Sequence, residues 1–140
     1  MKAVVIYESL TGNTRRAAGQ IGTLLEASGV ATKVMPITDI DYQALGDADL
    51  VIVGTWTDGL VLFGQRPGRA GRLRSMPFVA GKRCAVYVTY AIDQGRALEK
   101  LAAILEDRGA DVIGGMAIRR DNIPEGCADF VARILDVVAA

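Results

Sequence analysis

The chain has 140 residues, 51% of them apolar and 23% charged, and its 16 basic residues balance its 16 acidic ones. That is enough chain for one domain with its own core, since a domain of this size buries about 68–70% of the surface its unfolded chain exposes, and the even charge gives no reason to expect a nucleic-acid partner. The sequence contains no histidine, which rules out Ser-His-Asp and Cys-His catalysis, disfavours a zinc site and leaves redox or transfer chemistry to a bound cofactor.

The first predicted strand, Lys2–Tyr7, carries the apolar run Val4-Val5-Ile6-Tyr7. Directly after it come Ser9-Leu10-Thr11-Gly12-Asn13-Thr14. A helical pattern follows, in which Ala17, Ala18, Ile21, Leu24 and Leu25 share one face and Gly29 is placed to stop the helix. A strand-to-helix turn of this composition aims backbone N–H groups and the positive end of the helix dipole at one point. The hydroxyls of Ser9, Thr11 and Thr14 add donors, and Gly12 permits a positive φ or close backbone approach. Phosphate is the anion such a turn suits. It would be held by neutral dipoles and hydroxyls, because the loop has no Lys or Arg. The same residue types are also ordinary caps and turn formers.

Further along, residues 31–37, 50–54, 83–89 and 111–118 read as strands. Leu50-Val51-Ile52-Val53 is apolar on both faces, as a strand buried in a parallel sheet has to be. A short helix is predicted at 42–45. Between strands three and four, Phe63-Gly64-Gln65-Arg66-Pro67-Gly68-Arg69-Ala70-Gly71-Arg72 holds three glycines and a proline. For the segment 63–77 that predicts a loop followed by one short helix. Leu98, Leu101, Ala102 and Leu105 form the next helical face, before Gly109. The last helix uses Cys127, Phe130, Val131, Ile134 and Val138, with Asp121 or Asn122 as cap and Pro124 in its first turn. Cys84 and Cys127 belong to no Cys-x-x-Cys pair and read as small buried hydrophobes. No apolar run approaches the roughly 18 residues of a membrane span, and no signal-peptide progression follows Met1. The expectation is a cytoplasmic protein without membrane contact.

Strand–helix alternation predicts a doubly wound α/β sandwich of three layers, one domain over residues 1–140. Five parallel strands fit the order 2-1-3-4-5, in which ligands bind at the carboxyl ends of strands one, three and four. After strand three the chain reads as a loop, Gly54-Thr55-Trp56-Thr57-Asp58-Gly59, and after strand four as Thr89-Tyr90-Ala91-Ile92-Asp93-Gln94-Gly95. The only Trp and a Tyr thus flank the phosphate turn, where two aromatic plates can hold a flat conjugated ring by stacking. A lone aromatic in a loop is more often a packing plug.

Together these features resemble the flavodoxin family. Residues 9–14 match its phosphate-loop pattern Ser/Thr-x-Thr-Gly-x-Thr at every specified position, and length, element order and aromatic loops extend the likeness over the whole chain. The resemblance implies flavin mononucleotide (FMN) as a non-covalent cofactor of an electron-transfer flavoprotein. Ser9, Leu10, Thr11, Gly12, Asn13 and Thr14 would hold its phosphate. Trp56 and Tyr90 would cover the two faces of the ring, with Thr55, Thr57, Asp58, Gly59, Thr89, Ala91 and Asp93 around its edge. No side chain would be catalytic, because the flavin performs the chemistry. Two other readings are a small flavin-dependent reductase using a phosphate-bearing hydride donor, and a non-redox interaction module that has lost the flavin.

The chain departs from the family in charge. Flavodoxins are typically strongly acidic, yet no acidic residue lies between Asp58 and Asp93, where Arg66, Arg69, Arg72, Arg74, Lys82 and Arg83 are found. The first four of these are expected to face an acidic redox partner or a phosphate-bearing cofactor, and to raise the flavin's reduction potential. Thr57 also stands where many flavodoxins have glycine after the loop aromatic.

Overall fold

The computed structural model describes residues 1–58, 66–68, 70–75 and 79–139. Of the residues singled out above, Gly59 and Arg69 lie outside this set, as do Phe63, Gly64 and Gln65 of the Gly/Arg segment.

The chain begins with β1 (Lys2–Tyr7), α1 (Asn13–Ala27), β2 (Ala31–Pro36) and α2 (Tyr42–Asp47). It continues through β3 (Leu50–Asp58), the two-residue β4 (Arg66–Pro67), α3 (Ala70–Arg74) and β5 (Arg83–Tyr90), and ends with α4 (Ala97–Asp107), β6 (Asp111–Arg119) and α5 (Ile123–Ala139). Five parallel strands lie in the order β2-β1-β3-β5-β6. Counting parallel strands alone, this is the expected 2-1-3-4-5.

The period-two alternation of each inner strand divides its side chains between two cores. Ala3, Val5, Leu50, Ile52, Ala85 and Tyr87 pack with Ile21 and Leu25 of α1 and with Phe130 and Ile134 of α5. Val4, Ile6, Val51, Val53, Val86 and Val88 pack on the other face with Leu73 of α3 and Leu101 and Leu105 of α4. Apolar residues on both faces of β1, β3 and β5 are therefore what a covered parallel sheet requires. Gly29 closes α1 with φ 85°, a conformation in which a side chain would be strained.

The Gly54–Asp58 stretch corrects the sequence reading. It is not a loop: β3 runs on to Asp58 because its backbone finds partners on both sides. Thr55 and Trp56 stay in register with Val88 and Thr89 of β5. Thr57 and Asp58 pair antiparallel with Pro67 and Arg66 of β4. Pro67 lacks an N–H and is tolerated there because β4 is a short edge piece. The short helix expected in the same segment is present as α3.

Cys84 and Cys127 are buried and unbridged. Burial pushes their thiols up to about 12 and about 11 respectively. Both stay protonated at pH 8, where the thiolate is the reactive form. Iodoacetamide at that pH is expected to leave both unlabelled in the folded protein and to label both in denaturant, as read by intact-mass spectrometry.

Candidate functional site

A cleft at the carboxyl edge of the sheet brings three separated stretches together. Leu10, Thr11 and Asn13 come from the β1–α1 turn, Trp56 and Thr57 from the end of β3, and Thr89, Tyr90 and Ala91 from the end of β5 and beyond. Its volume is about 170 Å³, below the roughly 300–1,000 Å³ of pockets that enclose a whole drug-sized ligand. A ligand the size of a nucleotide would be gripped along part of its length and stay open to solvent elsewhere.

The β1–α1 turn is shaped by Gly12, which takes the N-cap position of α1 with φ 97° and has no side chain to accept from the first-turn N–H groups. Ser9 Oγ accepts from Gly12 N at 3.2 Å and from Arg15 N at 3.4 Å. Asn13 Nδ2 reaches Thr11 Oγ1 at 3.4 Å. Thr14 is buried, its Oγ1 2.9 Å from Thr89 Oγ1, so the β1–α1 turn and β5 share a hydroxyl pair. Beneath it, the fully buried Tyr87 donates its hydroxyl to Thr14 O at 3.0 Å. Burial pushes that phenol well above its usual range, which keeps it a neutral donor.

Trp56 is half-buried. A Cβ on Gly68 would fall 2.1 and 2.2 Å from the indole's Cε2 and Cδ2. These are the ring-fusion atoms, which only a face-on approach reaches, so the Gly68 backbone covers one face of the indole. Gly68 is pinned there by its N–H to Trp56 O at 2.8 Å and by Thr55 Oγ1 donating to its carbonyl at 2.9 Å. Thr57 Oγ1 is buried with no hydrogen-bond partner among the described residues. An unmet buried hydroxyl costs about 1–3 kcal/mol, so the cleft wall carries a polar group that a ligand would satisfy.

The flavodoxin domain family matches the chain over residues 4–129. The chain belongs to that family. A flavodoxin of Megasphaera elsdenii is 24% identical over 123 residues, 86% of this chain and 90% of that one. Among solved structures, a flavodoxin from the domain Archaea is similar with a TM-score of 0.72 and 24% identity, covering 100% of both chains. Flavodoxin 2 from Bacillus cereus gives a TM-score of 0.76 at 24% identity, covering 97% of this chain and 99% of that one. At this identity the structures share the fold. Flavodoxins typically bind FMN and transfer electrons, and FMN-dependent electron transfer is the function class of this chain.

Not every residue of the expected flavodoxin site lines the cleft. Thr55 is buried and holds Gly68 against Trp56. Exposed Asp93 accepts from Gly95 N at 3.1 Å, closing a local turn. Asp58 is the last residue of β3, paired with Arg66.

The basic segment also differs from the free patch expected. Arg72 Nη1 lies 2.9 Å from Glu8 Oε2, and Glu8 is the buried residue that joins β1 to the β1–α1 turn. Glu8 N donates to Gly54 O, so the pair ties three elements together. The charge of Arg72 is thus spent on a buried carboxylate beside the β1–α1 turn. Losing one partner of a fully buried pair costs about 3–5 kcal/mol. Here the Arg72 side chain is 43% exposed, and screening lowers the expected cost of Arg72→Gln to about 1–2 kcal/mol. Urea denaturation of Arg72→Gln beside Glu8→Gln/Arg72→Gln checks this, the double variant being expected to recover part of the loss.

One cleft residue escaped the sequence reading. Arg120, in the turn between β6 and α5, lines the cleft. The switch-point rule directs attention to strands one, three and four, whereas Arg120 follows the fifth parallel strand. The available signal was its position immediately after a carboxyl strand end and before a capped helix.

Proposed function

We propose that this flavodoxin binds FMN non-covalently in the cleft and carries electrons between redox proteins of the cytoplasm. The observation that supports it most is that the β1–α1 turn, Trp56 and Tyr90 line one cleft. The donor set fits the cofactor. A helix N-terminus with a glycine cap and flanking hydroxyls suits the phosphate, two aromatics suit the ring, and the unmet Thr57 hydroxyl suits its polar edge.

When bound, FMN supplies one-electron chemistry through its ring system. The chain's own residues bind and orient it. Ser9, Leu10, Thr11, Gly12, Asn13 and Thr14 form the phosphate turn, with Tyr87 fixing the Thr14 carbonyl from below. Trp56 and Tyr90 present ring faces and exclude water, while Thr57, Thr89 and Ala91 complete the wall. The family's redox partners are protein surfaces. Exposed Arg74 favours an acidic one, whose affinity falls as salt rises. Among the described residues, no helix is long and apolar enough to cross a membrane.

The absorption spectrum of the purified protein, before and after adding FMN and removing the excess, tests the reading directly. A flavin spectrum retained through gel filtration is the expected result, and a colourless protein after reconstitution contradicts it. Trp56→Ala is expected to weaken FMN binding by about 1–2 kcal/mol, given stacking gains of about 0.5–1.5 kcal/mol beyond area burial. It should also restore part of the fluorescence that stacking quenches, as followed by fluorescence titration.

A further inference from the structure

We infer that Arg120 supplies the positive charge for the flavin phosphate that the β1–α1 turn lacks, making it a binding and specificity residue contributed by the opposite end of the chain. The inference rests on the proposed FMN reading and adds to it a residue outside the phosphate motif.

Four observations carry it. The turn 9–14 has no Lys or Arg, so a dianionic phosphate there would meet only dipoles and hydroxyls. Arg120 lines the same cleft as Leu10, Thr11 and Asn13 of that turn. Its backbone is fixed from two sides: its N–H donates to Tyr90 O at 2.9 Å, and its carbonyl accepts from Arg16 Nη2, on the first turn of α1, at 3.4 Å. The β6–α5 turn is thereby held between the end of β5 and the start of α1.

The fourth observation separates Arg120 from its neighbour. Arg119 Nε is 3.1 Å from Asp121 Oδ1, which occupies the one carboxylate of the turn. Arg120 has no ion-pair partner among the described residues. Its own carbonyl instead draws in a second guanidinium, that of Arg16. An arginine lining a cleft that also receives a helix N-terminus makes a local positive field, unfavourable when unmet and favourable to an anion. The planar guanidinium fork suits a phosphate's oxygens, which a lysine meets only as a point charge.

The test is titration of the apoprotein with FMN and with riboflavin, for wild type, Arg120→Gln and Arg120→Lys, at low and high salt. Arg120→Gln is expected to weaken FMN binding about tenfold at low salt, less at high salt because the group is exposed. Riboflavin affinity and the quenching of bound-flavin fluorescence should not change, and Arg120→Lys should recover part of the loss. Equal loss for FMN and riboflavin would place Arg120 at the ring or in the fold and overturn the inference. So would an Arg120→Gln protein that keeps the full wild-type preference for FMN; in that case the phosphate reading stands without Arg120. A wild type that binds both flavins equally overturns both.

Discussion

Gly54→Ala is expected to cost about 3 kcal/mol or more, at or beyond the top of the usual range for overpacking a core. A Cβ at this position would lie 1.9 Å from Tyr87 Cζ and 2.1 Å from Cε1, so the ring has to move. Little around it can give. Tyr87 is fully buried, donates to Thr14 O at 3.0 Å, and packs edge-on against Phe130 with ring centroids 5.9 Å apart. Gly54 and Tyr87 are also register partners in adjacent central strands, so neither backbone can slide alone. A displaced ring would release the Thr14 carbonyl, loosening the first turn of α1, and FMN affinity should fall together with stability. Urea denaturation measures the first effect and fluorescence titration the second. The partner experiment is Gly54→Ala/Tyr87→Leu, which removes the clashing ring atoms. Its cost should be smaller than the sum of the two single changes, since residues in direct contact are non-additive. A neutral Gly54→Ala would show that the Tyr87 ring is not locked against β3.

Much of this arrangement is legible in the sequence because it follows from local pattern. Val4-Val5-Ile6 and Leu50-Val51-Ile52-Val53 have to be covered on both faces, which gives a parallel sheet between helix layers. The turn 9–14 announces itself by composition and by its place between a strand and a helix. What the sequence hides depends on partners far along the chain. The extension of β3 through Trp56 exists because Thr89 and Pro67 offer it backbone pairing, and neither is near it in sequence. Thr55 reads as a ligand-edge residue yet serves Gly68, 13 positions away. Arg72 reads as part of a free basic patch, whereas its partner Glu8 lies 64 positions earlier. Thr14 reads as a phosphate hydroxyl, and its bond to Thr89 adds a link between the turn and β5 that no motif encodes. Arg120 reaches the cleft only once β6 is set beside β5 and α5 beside α1.

The phosphate turn should make this flavodoxin discriminate strongly between two ligands that share the same ring. In the proposed site riboflavin would stack between Trp56 and Tyr90 as FMN would, but it brings nothing for the β1–α1 turn. Hydrogen bonds to a charged group contribute roughly 1.5–3 kcal/mol each. One or two of them give a preference of about a hundredfold, equivalent to about 2.7 kcal/mol. The turn offers more donors than that: the N–H groups of Asn13 and Thr14 in the first turn of α1, for which Gly12 has no capping side chain, and the hydroxyls of Ser9 and Thr11. Thr11→Val should narrow the preference without changing the affinity for riboflavin. The decisive measurement is fluorescence titration of the wild-type apoprotein with FMN and, separately, with riboflavin at the same ionic strength. The account predicts FMN binding at least about a hundredfold tighter. Equal affinities would mean that the turn at 9–14 holds no phosphate, and would contradict it.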